Sequence, residues 1–298
     1  VGGDGTVSWR ALHAETTGRL RGGLGLADGA ARAEARWLCE SASGIDHDDW
    51  AGSSDELATE RAVARLDAMV ARRLGGEPLA YVLGSWAFRT LDLLVDRRVL
   101  IPRPETEVVV EHALALVRAM AADHVLVVAD LGTGSGAIAC SLAAELALGS
   151  AAVWATDVSA DALEVTRANL AGTGRAAAHV RLAEGSWFAA LPAELEGRLD
   201  LVVSNPPYVA IGDDLDDAVA RWEPVGALFA GADGLDAVRV LVTGAARWLR
   251  PGGWLVVEIG AAQGTAARAL AGQSGLAEVA VHPDLAGRDR VLVARRPS

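Results

Sequence analysis

The first 76 residues carry apolar positions at helical spacing and no alternating strand pattern. Ser53-Ser54-Asp55-Glu56 has the form of a capping box, with Ser53 at the cap and Glu56 three residues on. After it Val63, Leu66, Val70 and Leu74 recur every three or four positions until Gly75-Gly76 stops the run. Ala30, Ala33, Trp37 and Leu38 suggest an earlier amphipathic helix, so residues 1–76 read as a small helical bundle. Glu77-Pro78 breaks the pattern. From Tyr81 to Leu100 the chain is rich in Val, Leu, Phe and Trp, with Gly84 as punctuation, which predicts two short strands in a β-hairpin linker over 77–101. Pro102 and Pro104 then set the entry to a helix whose stripe is Val109, Ala113, Leu116, Val117 and Met120.

From residue 125 strand and helix patterns alternate. Val125–Asp130 is a continuous apolar run ending in a carboxylate, as a buried parallel strand should be. Further strands are expected at Ala152–Asp157, Ala178–Ala183, Leu199–Ser204 and Trp254–Ile259, with helices over Ala160–Leu170, Leu235–Leu249 and Ala262–Ala271. Two late strands, Ala277–His282 and Arg290–Ala294, are close enough in sequence to lie antiparallel. Strands joined by crossover helices make an α/β, doubly wound sheet over residues 102–298, with ligands at the strands' carboxyl ends.

Composition narrows the classes. Of 298 residues 51% are apolar and 22% charged, an ordinary globular balance. A net charge of −12 argues against a broad nucleic-acid footprint. No apolar run reaches the ~18–20 residues of a membrane span, and Val1–Arg10 lacks a basic region followed by an apolar core, so a cytoplasmic location is the default expectation. Neither Cys39 nor Cys140 belongs to a C-x-x-C pair, and the six histidines lack ligand spacing, so neither a disulfide nor a metal site is expected. His47-Asp48-Asp49 reads as a solvated acidic loop.

The candidate chemistry sits at strand ends. Asp130-Leu131-Gly132-Thr133-Gly134-Ser135-Gly136-Ala137 joins a strand to a helix; its glycines permit a tight turn and close backbone approach to a ligand. Asp157 ends the next strand, where a carboxylate can accept hydrogen bonds from ribose hydroxyls or cap the helix that follows. These two features point to a nucleoside but do not separate NAD from S-adenosylmethionine. Asn205-Pro206-Pro207-Tyr208 does. Directly after Leu199–Ser204, it offers an amide oxygen, backbone carbonyls freed by two prolines, and a flat aromatic face. That set suits a planar –NH2 group, with two acceptors for its hydrogens and a ring against its plane.

The Asn-Pro-Pro-Tyr motif with the glycine turn resembles S-adenosylmethionine-dependent amino-group methyltransferases. Further matches narrow the resemblance to the HemK-type peptide-chain release factor glutamine N5-methyltransferases. They are Glu77-Pro78 with Tyr81 and Gly84, then Ile101-Pro102-Arg103-Pro104-Glu105-Thr106-Glu107, and Glu223-Pro224 with Ala227-Leu228. Gly231–Leu235, Glu258-Ile259-Gly260 with Gln263-Gly264, and Asp284 with Gly287-Arg288 and Arg290 complete the set, which spans residues 77–298. Asn-Pro-Pro-Tyr alone is shared with nucleic-acid methyltransferases; the Arg-Pro-Glu-Thr-Glu segment is more specific.

The resemblance implies a seven-stranded Rossmann-like methyltransferase domain preceded by a helical domain that recognises the protein substrate. The implied reaction methylates the glutamine amide in the Gly-Gly-Gln loop of class I release factors, with S-adenosylmethionine converted to S-adenosylhomocysteine and no metal. By position, Gly132, Thr133, Gly134, Ser135 and Gly136 would shape the donor site along the methionine part, Asp157 would bind ribose and Trp187 would flank the adenine. Asn205, Pro206, Pro207 and Tyr208 would hold the target glutamine, Asn205 also touching the donor, with Phe88 and Arg103 completing the pocket. No membrane partner and no direct nucleic-acid substrate are expected. The rivals are a nucleic-acid amino methyltransferase, which would extrude its base from a duplex, a dehydrogenase using the glycine turn for NAD, and a non-enzymatic adaptor built on the helical bundle.

Overall fold

The computed structural model describes residues 6–120 and 124–298, so the first five residues of the Val1–Arg10 segment lie outside the described residues. The chain divides into two compact units, Val1–Ser85 and Trp86–Ser298. In the first, α1 (Trp9–Leu24) starts at Ser8, whose hydroxyl accepts from the Ala11 amide, and ends at Gly25 with φ 66°. It is followed by α2 (Asp28–Ser43), the short α3 (Trp50–Ser53) and α4 (Glu60–Leu74).

Two expectations shift here. Ser53 closes α3 rather than opening a helix; the cap of α4 is Thr59, which accepts from Ala62 N at 3.2 Å. The reason is local pairing. Trp9 N donates to Glu56 O and Ala58 N to Val7 O, so after a turn at Ser54-Asp55 the chain pairs through Leu57 with the entry to α1 and does not coil. In α2 the buried face is Ala31, Ala35, Leu38, Cys39 and Ala42, while Ala30, Ala33 and Trp37 lie outside it. Alanine buries too little area to mark a face by itself.

Tyr81 belongs to a short helix, α5 (Leu79–Leu83), and not to a strand. Pro78 precedes its first turn, Gly84 ends it with φ 81°, and Arg72 holds it: Nη2 donates to Tyr81 O at 2.8 Å and to the buried Glu77 carboxylate at 2.7 Å. The hairpin is therefore confined to β1 (Ser85–Phe88) and β2 (Leu91–Leu94).

The second unit is built on a seven-stranded sheet. Its elements are α6 (Pro104–Ala119), β3 (Leu126–Leu131), α7 (Ala137–Glu145), β4 (Ala151–Asp157), α8 (Ala160–Gly172), β5 (Val180–Glu184) and β6 (Leu199–Ser204). Then come α9 (Asp217–Trp222), α10 (Asp236–Trp248), β7 (Leu249–Glu258), α11 (Gly264–Gln273), β8 (Ala277–Pro283) and β9 (Asp289–Arg295). The strand order is β5-β4-β3-β6-β7-β9-β8, parallel from β5 to β7, with β9 antiparallel to both neighbours. The doubly wound α/β sheet expected from the strand–helix alternation is present. β7 begins ahead of the expected Trp254 because Gly253 lets the backbone approach β6; a Cβ there would stand 2.8 Å from Leu199 O.

Helices cover both faces. Val128, Leu201, Val203 and Val256 pack with Val109, Val110, Leu114 and Leu142 in one core, while Val202, Leu255 and Val257 pack with Val238, Leu241 and Ala267 in the other. Chain direction across the sheet reverses between β3 and β6, which opens a crevice at their carboxyl ends. Among the described residues no helix is long and apolar enough to cross a membrane.

Candidate active site

The crevice is closed underneath by one bond: Ser204 Oγ, last in β6, donates to Leu131 O, last in β3, at 2.6 Å. The glycine turn leaves β3 with Gly132 at φ 74° and Gly134 at φ 56°, a region open to glycine without strain. Its backbone is anchored on several sides. Gly132 N and Thr133 N donate to Thr156 O, Gly134 N donates to Asp157 Oδ2, Thr166 Oγ1 donates to Gly134 O, and Asn169 Nδ2 donates to Ser135 O.

Side chains of the turn face inward. Thr133 Oγ1 donates to Asp130 Oδ2 at 2.7 Å, and Ala139 N donates to the same oxygen at 3.1 Å. Asp130 is fully buried, and burial pushes its carboxyl up to about 7. Ser135 is buried as well. Gly136 has φ 82° at the start of α7, and a Cβ there would stand 2.9 Å from Thr166 Cγ2. Thr133, Ser135 and Gly136 therefore shape the turn and its packing on α8, and do not line the cavity beside it.

That cavity, about 250 Å³, is lined by Gly132, Gly134, Asp157, Trp187, Asn205 and Pro207 among others. Asp157 is not the cap of α8, a role taken by Ser159; its Oδ1 accepts from Ser159 N and its Oδ2 from Gly134 N, which aims the carboxylate along the cavity wall. Trp187 holds φ 49°, an uncommon value for a bulky residue, and its ring lies against Gly132, where a Cβ would stand 3.5 Å from Cζ3.

On the other wall, Asn205 Nδ2 donates to Thr106 Oγ1 at 2.9 Å, and Thr106 Oγ1 donates to Glu258 Oε2 at 2.7 Å. Burial pushes Glu258 up to about 7, while Thr106, Arg290 and the Tyr208 phenol oppose the shift. Burial and Glu258 push Tyr208 up to about 12, so it is a neutral phenol and a poor base. Pro206 is buried behind Asn205.

Phe88 lies elsewhere than expected, while Arg103 stays within electrostatic range of Tyr208. Phe88 is 1% exposed and packs in the core that includes Val109 and Val110, which leaves no face for a substrate. Arg103 is paired with the buried Glu223, whose Oε2 also accepts from Ile101 N at 3.1 Å. This pair fastens Glu223-Pro224 to the start of α6, and Pro224 reaches the cavity wall. Thr106, Glu223 and Glu258 were given no role by the sequence, although each lies in a segment that carries the resemblance, and Glu258 ends the apolar run of β7.

A nucleoside-type cavity at the switch point of this sheet, faced by an Asn-Pro-Pro-Tyr strand end, defines a Rossmann-like methyltransferase. Two family descriptions match: the Methyltransferase small domain over residues 111–222 and the PrmC N-terminal domain over residues 22–84. The chain is 48% identical over 239 residues to the release factor glutamine methyltransferase of Xylella fastidiosa, covering 79% of this chain and 82% of that protein. It is 43% identical over 273 residues to the one from Cereibacter sphaeroides, covering 91% and 93%. The chain belongs to the release factor glutamine methyltransferase family. A methyltransferase crystal structure from Pyrococcus furiosus matches the fold with a TM-score of 0.50 at 18% identity, over 76% of this chain and 98% of that one.

Proposed function

We propose that this enzyme methylates the side-chain amide nitrogen of the glutamine in the Gly-Gly-Gln loop of class I release factors, using S-adenosylmethionine. The observation that carries the reading is the meeting of Asn205 and Pro207 with Asp157, Gly132 and Trp187 around one cavity, in a chain so closely related to proteins named for that activity.

The residues present fit the donor. Asp157 would accept from ribose hydroxyls, Trp187 would flank the adenine, and Gly132 and Gly134 would let the backbone approach the methionine part. S-adenosylmethionine supplies an electrophilic methyl group on sulfur and is left as S-adenosylhomocysteine. No metal is assigned a role.

An amide nitrogen is a weak nucleophile because its lone pair is delocalised into the carbonyl. Asn205 Oδ1 and the Pro206 carbonyl would accept its two hydrogens, and Tyr208 would pack against its plane. Held so, the nitrogen is aimed at the methyl group, and alignment of this kind is worth up to roughly 7–11 kcal/mol of barrier. The proton leaves to water after transfer. Among the described residues the helical unit carries no such constellation, and its proposed task is to hold the release factor. The acidic net charge of −12 supports a protein substrate over a nucleic acid. A release factor substrate supports a cytoplasmic location beside the translation machinery.

Mass spectrometry of a class I release factor after incubation with enzyme and donor tests the reading. A gain of one methyl group on the Gly-Gly-Gln glutamine is expected. Methylation of DNA or RNA offered in parallel, with none on the factor, would overturn it.

A further inference from the structure

The amide of Asn205 can present either of two ends to the cavity, and only one suits the reaction. With Oδ1 toward the cavity it accepts a hydrogen from the target –NH2; with Nδ2 toward the cavity two –NH2 groups would meet, donor against donor. Asparagine alone does not choose between these orientations. Its surroundings do.

Behind Asn205 stands Thr106, buried in the first turn of α6, and behind Thr106 stands Glu258, 0% exposed at the end of β7. A threonine hydroxyl has one hydrogen, and the Glu258 carboxylate, ionised above its raised value of about 7, can then only accept. Thr106 Oγ1 donates to Glu258 Oε2 at 2.7 Å, so only its lone pairs remain for Asn205. Those lone pairs require a donor, and the Asn205 amide meets them with Nδ2 at 2.9 Å. Oδ1 is thereby turned the other way, on a residue that lines the cavity. The flipped amide would set Oδ1 against a hydroxyl oxygen with no hydrogen to give, inside a buried site.

We propose that Thr106 and Glu258 are positioning residues whose one-way hydrogen-bond relay fixes which end of the Asn205 amide faces the methyl acceptor. The relay extends the methylation reading above and rests on it. It also gives Thr106, within the segment from Arg103 to Glu107, a job at the site from behind the cavity wall.

Thr106→Val removes the hydroxyl at nearly constant volume, while Thr106→Ser keeps the relay. In the valine variant the amide gains nothing by pointing Nδ2 inward, since an unmet buried donor is costly. At pH 8, where Glu258 is mostly ionised, single-turnover methylation should fall by about tenfold or more. Donor Kd should stay within about twofold and KM for the release factor should change less than kcat, since neither residue is among those lining the cavity. Thr106→Ser should restore most of the rate. Glu258→Gln lets the relay run in either direction and should also slow the chemical step.

A second readout needs no methyl acceptor. The chain holds two asparagines, Asn169 and Asn205. Protein labelled with [15N]asparagine should therefore show two side-chain –NH2 pairs by NMR. The Asn205 pair should have one slowly exchanging hydrogen in the wild type and in Thr106→Ser, and lose that protection in Thr106→Val. The Asn169 pair, donated to Leu94 O and Ser135 O, is the internal control. Unchanged Asn205 exchange or unchanged turnover in Thr106→Val, equal damage in both Thr106 variants, or wild-type rates in Glu258→Gln would each overturn the proposal. A wild-type enzyme that leaves the release factor unmethylated overturns the functional reading instead, and the exchange measurement still decides the relay.

Discussion

Gln263 Nε2 donates to Tyr208 O at 3.0 Å, joining the start of α11 to the last residue of the Asn-Pro-Pro-Tyr segment. The same amide donates to Gly234 O at 3.1 Å, and its oxygen accepts from Gly260 N at 2.8 Å. Gly234 has to be glycine for this brace to close, since a Cβ there would stand 2.3 Å from Tyr208 O. Gln263→Ala leaves two partly buried carbonyls and one amide without these partners. A stability loss of about 2–3 kcal/mol is expected at roughly 1 kcal/mol per bond, together with a lower single-turnover rate. Gln263→Glu should be worse, because it turns acceptor oxygens toward both carbonyls. Urea denaturation and rapid-quench methylation would check both; a Gln263→Ala enzyme of wild-type stability would show that the brace is idle.

Asp157→Ala should weaken donor binding by about 1.5–3 kcal/mol, the scale of hydrogen bonds to a charged group. Because Asp157 also accepts from Gly134 N and Ser159 N, the variant should melt lower as well. Asp157→Asn, which keeps one acceptor oxygen, should lie between. Calorimetric titration with S-adenosylmethionine gives the affinity, and unchanged binding by a folded alanine variant would remove Asp157 from the donor site.

Asn205→Ala removes one of the two acceptors proposed for the target amide. The remaining one cannot fix both N–H bonds, so the rate of methyl transfer at saturating donor should fall by roughly 10²-fold, with a much smaller effect on donor affinity. Asn205→Asp keeps the size and an acceptor oxygen but adds charge beside the sulfonium, which should stabilise the reactants and blunt transfer. Near wild-type turnover by the alanine variant would dismiss the amide clamp.

Asp130 makes stability depend on pH. Burial raises its carboxyl from 3.8 to about 7, so between those values the folded chain holds a proton that the unfolded chain has released. Its contribution is fully present below pH 3.8 and is lost as pH rises toward 7. Relative to Asp130→Asn, which does not titrate, the wild type should lose up to about 1.4 kcal/mol per pH unit across that window and level off above it. Parallel denaturation curves for the two proteins from pH 5 to 8 would refute the assignment.

Gly136→Ala should be a packing lesion more than a binding lesion. It adds a Cβ at φ 82°, 2.9 Å from Thr166 Cγ2, and a loss of about 1–3 kcal/mol is expected. Pairing it with Thr166→Ser removes that methyl while keeping the hydroxyl that donates to Gly134 O, so part of the loss should return in a double-mutant cycle. No recovery would leave backbone strain and the crowding against Cys140 Sγ, 3.3 Å from that Cβ, as the cause.

The sheet was legible because buried parallel strands are continuous apolar runs: Leu199–Ser204 occupies its expected bounds, and β3, β4 and β9 match within a residue. The glycine turn, Asp157 and Asn205 were legible because each ends such a run. What escaped was contact between distant segments. Thr106 and Glu258 lie 99 and 152 positions from Asn205 and Thr106 respectively, and no local periodicity encodes that meeting. Thr59 was hidden behind a better-looking cap at Ser53, because pairing of residues 54–58 with the entry to α1 is also nonlocal. Phe88 was placed in the pocket by resemblance, while the core holds it, and the partner of Arg103, Glu223, was 120 positions away.

The bond from Ser204 Oγ to Leu131 O has a mechanical consequence. The turn proposed for the donor and the segment proposed for the acceptor are mounted on neighbouring strands, about 4.8 Å apart and tied at their very ends. Such a mount behaves as a fixed gauge. Loops can swing around it, but the span between the two mounts is not theirs to adjust. It is set by sheet spacing, which side-chain changes in the loops leave untouched. How far an incoming side chain must extend is then a dimension built into the scaffold, and the reach of the target, not the flexibility of the enzyme, decides whether the two reacting atoms meet.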